Sequence, residues 1–125
     1  MNIQKSVFSA QPNIVTPEGA TVLVTFDVEE KVITPDNQEN NEAMAAAEPI
    51  TQFEAYAVRL AHPLTRSRLI DAIVTAAYPS DVMQAIINNH LLDPTDEEHE
   101  AEFNEMQAWR KHAKEVADHV LNPIG

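Results

Sequence analysis

Three side chains near the end of the chain have the types and the spacing of metal ligands. His112, Glu115 and His119 lie at offsets of three and seven residues, so on a helix they fall near one stripe. Two imidazoles and a carboxylate suit a divalent metal such as zinc. The same residues also border the apolar stripe of an acidic helix, where such neighbours occur by chance, and no HExxH motif is present. We therefore expect no metal and no cofactor, and keep these three residues as the alternative.

A second pair, Asp96 and His99, has the acid-x-x-His spacing of carboxylate-bridged metal bundles. A site of that kind needs a second copy of the motif and two more carboxylates on facing helices. The preceding helical segments offer only Asp71 and Asp81. We therefore reject this pair as a metal site.

Other catalytic patterns have no support. The chain has no cysteine, which excludes disulfides, thiolate metal sites and cysteine nucleophiles. Its two glycines are isolated, so neither a Walker A loop nor a dinucleotide fingerprint can form, and no serine lies in a GxSxG elbow. The sequence predicts that the protein is not an enzyme and that no residue is catalytic.

The charge of the chain is strongly acidic throughout. The net charge is −12; residues 1–63 hold three Lys/Arg and nine Asp/Glu, and residues 64–125 hold five and eleven. Neither half has the Lys/Arg excess with which proteins displace counterions from nucleic acids or bind anionic membranes. No apolar run approaches 18 residues. We therefore expect no nucleic-acid partner and no membrane association.

The first half of the chain has the patterns of β-strands. Residues 21–29 alternate apolar and polar side chains with period two, residues 3–8 are a shorter candidate, and Pro12, Pro17 and Gly19 break the chain between them. Residues 50–60 fit a strand better than a helix. The polar segment 35–48 is predicted to be an exposed loop.

From residue 64 onward the apolar period becomes helical. Thr65 is a predicted N-cap of the first helix, and Ser80 is the predicted cap of the second, after Pro79. A third helix of roughly 25 residues starts near residue 95, capped either by Asp93 or by a box of Thr95 and Glu98. Its acidic first turns complement the positive end of the helix dipole.

The helical stripes predict a core and a contact surface. The predicted core residues are Leu69, Ile73, Val82, Met83, Ile86, Ile87, Phe103, Met106 and Trp109. The third helix is much longer than the other two, so its last part should leave apolar surface beyond them. We predict a partner or self-association contact there, formed by Ala113, Val116, Val120 and Leu121.

Three segments in order resemble a known group of proteins. FEAYAVRLAHPLTRSRLIDAIV is followed by YPSDVMQAIINNHLLD and by EFNEMQAWRKHAKEVA. This order, over residues 53–121 and best around YPSDVMQAIINN, is similar to small proteins of gut-bacterial phages and prophages that are encoded among tail, baseplate or tail-fibre genes. In outline it also resembles C-terminal segments of some tail-fibre-assembly and minor tail proteins. The resemblance implies a structural or assembly role and carries no catalytic residues.

The sequence thus predicts an α+β protein with two units. A small N-terminal antiparallel β element occupies residues 1–61, and a C-terminal three-helix domain occupies residues 62–125. The expected function is non-enzymatic, in phage or prophage structure or assembly, through contacts with other protein subunits such as tail or baseplate components, or with further copies of the chain. The expected location is the cytoplasm of the bacterial host or the virion. The alternatives are an acidic inhibitor that mimics nucleic acid, and a metal-dependent enzyme using His112, Glu115 and His119.

Overall fold

The computed structural model describes residues 1–33 and 49–121, so the predicted loop 35–48 lies outside the described residues. Four strands precede three helices, which confirms the predicted α+β class. The elements are β1 (Ser6–Phe8), β2 (Val15–Glu18), β3 (Thr21–Ile33), β4 (Ile50–Ala61), α1 (Arg66–Ala77), α2 (Ser80–Leu92) and α3 (Glu97–Leu121).

The four strands form one antiparallel sheet in the order β1-β4-β3-β2. The long pair β3–β4 is its centre; β3 matches the clear alternation of residues 21–29, and β4 matches the segment 50–60 that fits a strand better than a helix. The sequence pattern does not predict β2, because Pro17 interrupts the chain between the two strand candidates. Pro17 pairs with Val22 on an edge strand, where a missing N–H can face away from the ladder.

The connection from β1 to β2 crosses the outer face of the sheet, since these two strands lie at opposite edges. The Thr25 hydroxyl donates to the carbonyl oxygen of Asn13 at 2.6 Å, and the Thr25 amide donates to that of Ile14 at 2.9 Å. Thr25 is consequently buried although it points away from the helices. The sheet is therefore covered by helices on one face and by this connection on part of the other.

The strand β3 contains a bulge that the period-two pattern did not predict. Phe26 pairs with Tyr56 and Glu29 with Glu54, so Asp27 and Val28 together face one residue of β4. Asp27 has a φ of 55°, the left-handed conformation that opens this kind of bulge. Val28, which continues the alternation of Val24 and Phe26 in the sequence, is 37% exposed as a result.

Beyond the bulge, the helix-facing side of the β3–β4 pair changes from apolar to charged. Glu29 and Glu54 lie directly opposite each other, an arrangement that would repel without counter-charges. Lys5 pairs with Glu29, and Lys31 lies 3.1 Å from Glu54. The Lys5 ammonium holds the pKa of the Glu29 carboxyl below its usual value. This charge group, Lys5, Glu29, Lys31 and Glu54, marks the end of the core along the strands.

The helix starts confirm one predicted cap and correct two. Thr65 caps α1, and its hydroxyl accepts a hydrogen bond from the Arg68 amide. Ser80 is the first residue of α2 and not its cap; Pro79 holds the cap position and makes no side-chain hydrogen bond. The cap of α3 is neither Asp93 nor Thr95. The Asp96 carboxylate accepts from the amides of Glu98 and His99 at 2.9 and 3.1 Å.

The helices α1 and α2 pack one after the other along α3. On α1, Arg66 pairs with Asp118 near the end of α3, and the carbonyl of Ile73 accepts from Trp109 in its middle. On α2, His90 stacks on Phe103 in the first half of α3, with ring centroids 4.1 Å apart. The helix α1 therefore lies along α3 as far as Asp118. The sequence had instead predicted uncovered apolar surface on α3 from Ala113 onward.

One hydrophobic cluster joins the sheet to the helices. All nine predicted core residues belong to it, five of them buried and four half-buried at its margin, which confirms that prediction. It also contains Val24, Phe26 and Val58 from the sheet. The division into units 1–61 and 62–125 stays a prediction about folding; in the structure the two ranges share one core. No helix within residues 1–33 and 49–121 has the length and apolarity needed to cross a membrane.

Candidate functional site

A cleft of about 440 Å³ lies between the bulge of β3 and the last turns of α3. On this side β2 pairs with β3 only as far as Val24, so the edge of β3 from Phe26 onward faces the C-terminal half of α3. The cleft is lined by Ile14, Thr25, Phe26, Asp27, Val28, His112, Glu115, Val116, His119 and Val120. Five of these ten side chains are apolar, and four of the others are carboxylates or imidazoles.

The polar centre of the cleft is a contact between Asp27 and His112. The Nε2 atom of His112 lies 2.7 Å from Oδ2 of Asp27, across 85 positions of sequence. A carboxylate accepts hydrogen bonds and does not donate them, so Nε2 carries the hydrogen. The left-handed backbone at Asp27 places its carboxylate opposite α3. The pair therefore ties the bulge to the helix and fixes the orientation of the imidazole.

The three residues of the predicted metal set all line this cleft. His112 Nδ1 faces Glu115 Oε1 at 3.8 Å, too far for a hydrogen bond. His119 is exposed on the next turn of the same helix face. Their donor atoms do not all converge: among the residues that the structure describes, only Asp93, Asp96 and His99 bring three potential ligand atoms within 4.8 Å of one another.

The Asp93, Asp96 and His99 cluster lies at the start of α3, where Asp96 caps the helix and the buried Nδ1 of His99 has no hydrogen-bond partner among the described residues. One oxygen of Asp96 accepts the two amide hydrogen bonds of the helix cap, and the Thr95 hydroxyl donates to Asp93 at 3.2 Å. The positive end of the α3 dipole lies at this cluster and disfavours a cation. The rejection of Asp96 and His99 as a metal pair stays a prediction, since their potential ligand atoms do lie together.

The predicted contact residues lie partly in the core and partly in the cleft. Ala113 is fully buried, and the pair of Arg66 with Asp118 places the start of α1 beyond it along α3. Val116 is 7% exposed and forms the floor of the cleft, Val120 is half-buried in its wall, and Leu121 is half-buried at the end of α3. Among the predicted contact residues, Val120 and Leu121 therefore keep some exposed apolar surface, and Ala113 has none.

The side chains that line the cleft include a single hydroxyl group. Thr25 supplies the one hydroxyl among the lining residues, and it is already bonded to the carbonyl of Asn13. Its recorded hydrogen bond is to a backbone carbonyl and not to His112, the base that would activate a nucleophile. What the cleft offers is an apolar wall, an oriented imidazole and two carboxylates.

Sequence reasoning missed the sheet side of the cleft, Ile14, Phe26, Asp27 and Val28. The one available signal was Asp27 itself, since aspartate inside a strand pattern is unusual and tolerates left-handed backbone better than most residues. The pairing of β3 with α3 depends on the tertiary fold and has no local pattern. Comparisons of the chain with protein-family models, with curated proteins and with solved structures find no match.

Proposed function

We propose that this protein is a non-enzymatic structural or assembly protein of a phage or prophage, and that it acts by binding another protein subunit in the cleft between β3 and α3. The observation that supports the proposal is the apolar wall of that cleft. Ile14 and Val28 are 45% and 37% exposed there, opposite Val120 and the floor residue Val116. Partly exposed apolar side chains that face one another across a depression are typical of protein contact sites.

The partner is a protein segment that fills the cleft with apolar side chains. Burial of apolar surface contributes about 25 cal/mol per Å² and is insensitive to salt screening, unlike a charge-based contact. The affinity should therefore change little between about 0.1 and 1 M salt. A mimic of nucleic acid, the acidic alternative, would lose its basic partner steeply over the same range.

The genes beside the coding sequence give the first test. The proposal expects tail, baseplate or tail-fibre genes, and expects one of their products to form a stable complex with this chain on co-expression, detected by light scattering after size exclusion. A metabolic operon, or no complex with any of the neighbouring products, would overturn it.

Two matched substitutions place the contact. Val120→Asp should abolish the complex by placing a charge in the cleft wall. Leu92→Asp changes a side chain that is 84% exposed at the end of α2, away from the cleft, and should leave the complex intact. Loss of the complex with Leu92→Asp alone would move the contact away from the cleft and refute this location.

A further inference from the structure

The contact between His112 and Asp27 has the form of an oriented metal ligand. Histidines that bind metals usually donate their second ring N–H to a carboxylate, which fixes the tautomer and the ring direction. Here Nε2 of His112 donates to Asp27 at 2.7 Å. The lone pair of Nδ1 is thereby directed to the other side of the ring, toward Glu115.

The distance between the donor atoms of His112 and Glu115 suits a metal ion bound to both. Nδ1 and Oε1 are 3.8 Å apart, which is too long for a hydrogen bond. A zinc ion bonds imidazole nitrogen and carboxylate oxygen at about 2.0–2.2 Å, so it spans such a gap at an angle of roughly 130°. Closure by a few tenths of an ångström brings the angle to the tetrahedral value.

His119 supplies a third donor from the same helix face. It follows Glu115 by four residues, a spacing at which helical side chains are neighbours, and it lines the same cleft. Its imidazole is exposed and does not converge with the other two donors in the structure, so the site forms when His119 adopts another staggered rotamer directed toward Glu115.

The position on α3 favours a cation. His112 and Glu115 lie in the C-terminal half of α3, and His119 lies in its last turn, where the helix dipole is negative. The rival cluster of Asp93, Asp96 and His99 lies at the positive end of the same helix. Carboxylates in the cleft add to the attraction, since Asp27 and Glu115 both line it.

We propose that the cleft contains a zinc-class divalent metal site. Nδ1 of His112, the carboxylate of Glu115 and an imidazole nitrogen of His119 are the ligands, and water completes the coordination. Asp27 is a positioning residue that orients His112 and is not itself a ligand. This site is distinct from the apolar wall on which the proposed function rests, and it is tested without any partner protein.

The test uses full-length protein without a histidine tag, stripped with chelator, dialysed and titrated with Zn²⁺ by calorimetry. We expect one ion per chain. His119→Ala, at an exposed position that leaves the fold intact, should weaken binding at least tenfold, as should Glu115→Gln. Asp27→Asn should weaken it by about 10- to 100-fold, the usual effect of removing a ligand's carboxylate partner. His99→Ala, in the rival cluster, should leave the affinity unchanged.

A spectroscopic readout makes the ligand assignment independent of affinity. Co²⁺ in place of Zn²⁺ should give visible absorption bands of a four-coordinate site in the unchanged protein, and these should be lost in His119→Ala. Absence of saturable Zn²⁺ binding in the unchanged protein would overturn the proposal. So would binding that survives His119→Ala and disappears in His99→Ala, since this would assign the ion to the start of α3.

Discussion

The indole Nε1 of Trp109 donates a hydrogen bond of 3.0 Å to the backbone carbonyl oxygen of Ile73. Both residues are buried, and the bond joins the middle of α3 to the middle of α1. The same indole meets Tyr56 of the sheet edge-on, with ring centroids 5.4 Å apart. One side chain therefore connects both helices to the sheet, with its polar group satisfied inside the core.

Trp109→Phe should lower the free energy of unfolding by about 1–3 kcal/mol, because it removes the hydrogen bond to Ile73 and part of the buried ring. Trp109 is the one tryptophan of the chain, so its replacement removes the tryptophan fluorescence signal. Unfolding in urea is therefore followed by circular dichroism. Tyr56→Phe keeps the aromatic contact with Trp109 and should change the stability by less than about 0.5 kcal/mol. Equal stability of Trp109→Phe and the unchanged protein would contradict the packing described.

The left-handed backbone at Asp27 predicts an unusual order of substitutions. Asp27→Gly should be more stable than Asp27→Ala by about 1 kcal/mol, because a residue with a Cβ is destabilised by about that amount at positive φ. Both variants lose the bond to His112 equally. At Asp118, inside α3, the order should reverse, with Ala more stable than Gly by about 1 kcal/mol. The same order at both positions in chemical denaturation would disprove the bulge conformation.

The caps of the helices give a test that separates the structure from the sequence patterns. Thr65→Ala and Asp96→Ala should each cost about 1 kcal/mol, because each removes the acceptor of amide groups at a helix start. Thr95→Ala should cost less than about 0.5 kcal/mol, as an exposed residue outside the cap. If urea unfolding shows Thr95→Ala to be as costly as Asp96→Ala, the capping box predicted from sequence is right.

Tyr78 makes the stability depend on alkaline pH. Burial, and next its hydrogen bond to the Glu105 carboxylate, raise the pKa of the Tyr78 hydroxyl to about 12 from its ordinary value near 10. Because the folded-state pKa is higher than the unfolded one, the protonated hydroxyl contributes stability fully below pH 10, and this contribution is lost as the pH rises to about 12.

The measurement for Tyr78 is unfolding by denaturant at several pH values, with Tyr78→Phe as the control. The stability advantage of the unchanged protein over Tyr78→Phe should shrink between pH 10 and about 12. Absorption of tyrosinate should also show one of the two tyrosines ionising late in the folded protein. A difference between the two proteins that stays constant over this range would contradict the pKa shift of Tyr78.

Much of the fold was predictable because the strongest signals are local. The alternation in β3, the strand pattern of β4 and the helical stripes each reflect one buried face, and the structure buries those faces. The strand β2 was missed because four residues containing Pro17 carry too little pattern. The cap of α3 was missed because Asp93, Thr95 and Asp96 are all good cap residues, and only tertiary packing selects among them.

The site was predictable on one side only. His112, Glu115 and His119 share a helix face, which spacing alone reveals. Asp27 enters through a bulge and a contact across 85 positions, and neither has a sequence period. The extent of the exposed surface on α3 was overestimated because sequence patterns do not show where α1 lies along it. The bond from Arg66 to Asp118 gives that position.

The charge group at the bulge divides the β3–β4 pair into two halves, which should differ in their stability against local unfolding. From Thr21 to Phe26 the ladder is backed by the core, whereas from Glu29 to Ile33 its side chains are solvated. Backbone amides in the outer half should consequently exchange with deuterium through local fraying. Those in the inner half should exchange only through global unfolding. Fraying of the outer half should therefore leave the helices in place, and strong protection on β3 should extend only to about Asp27.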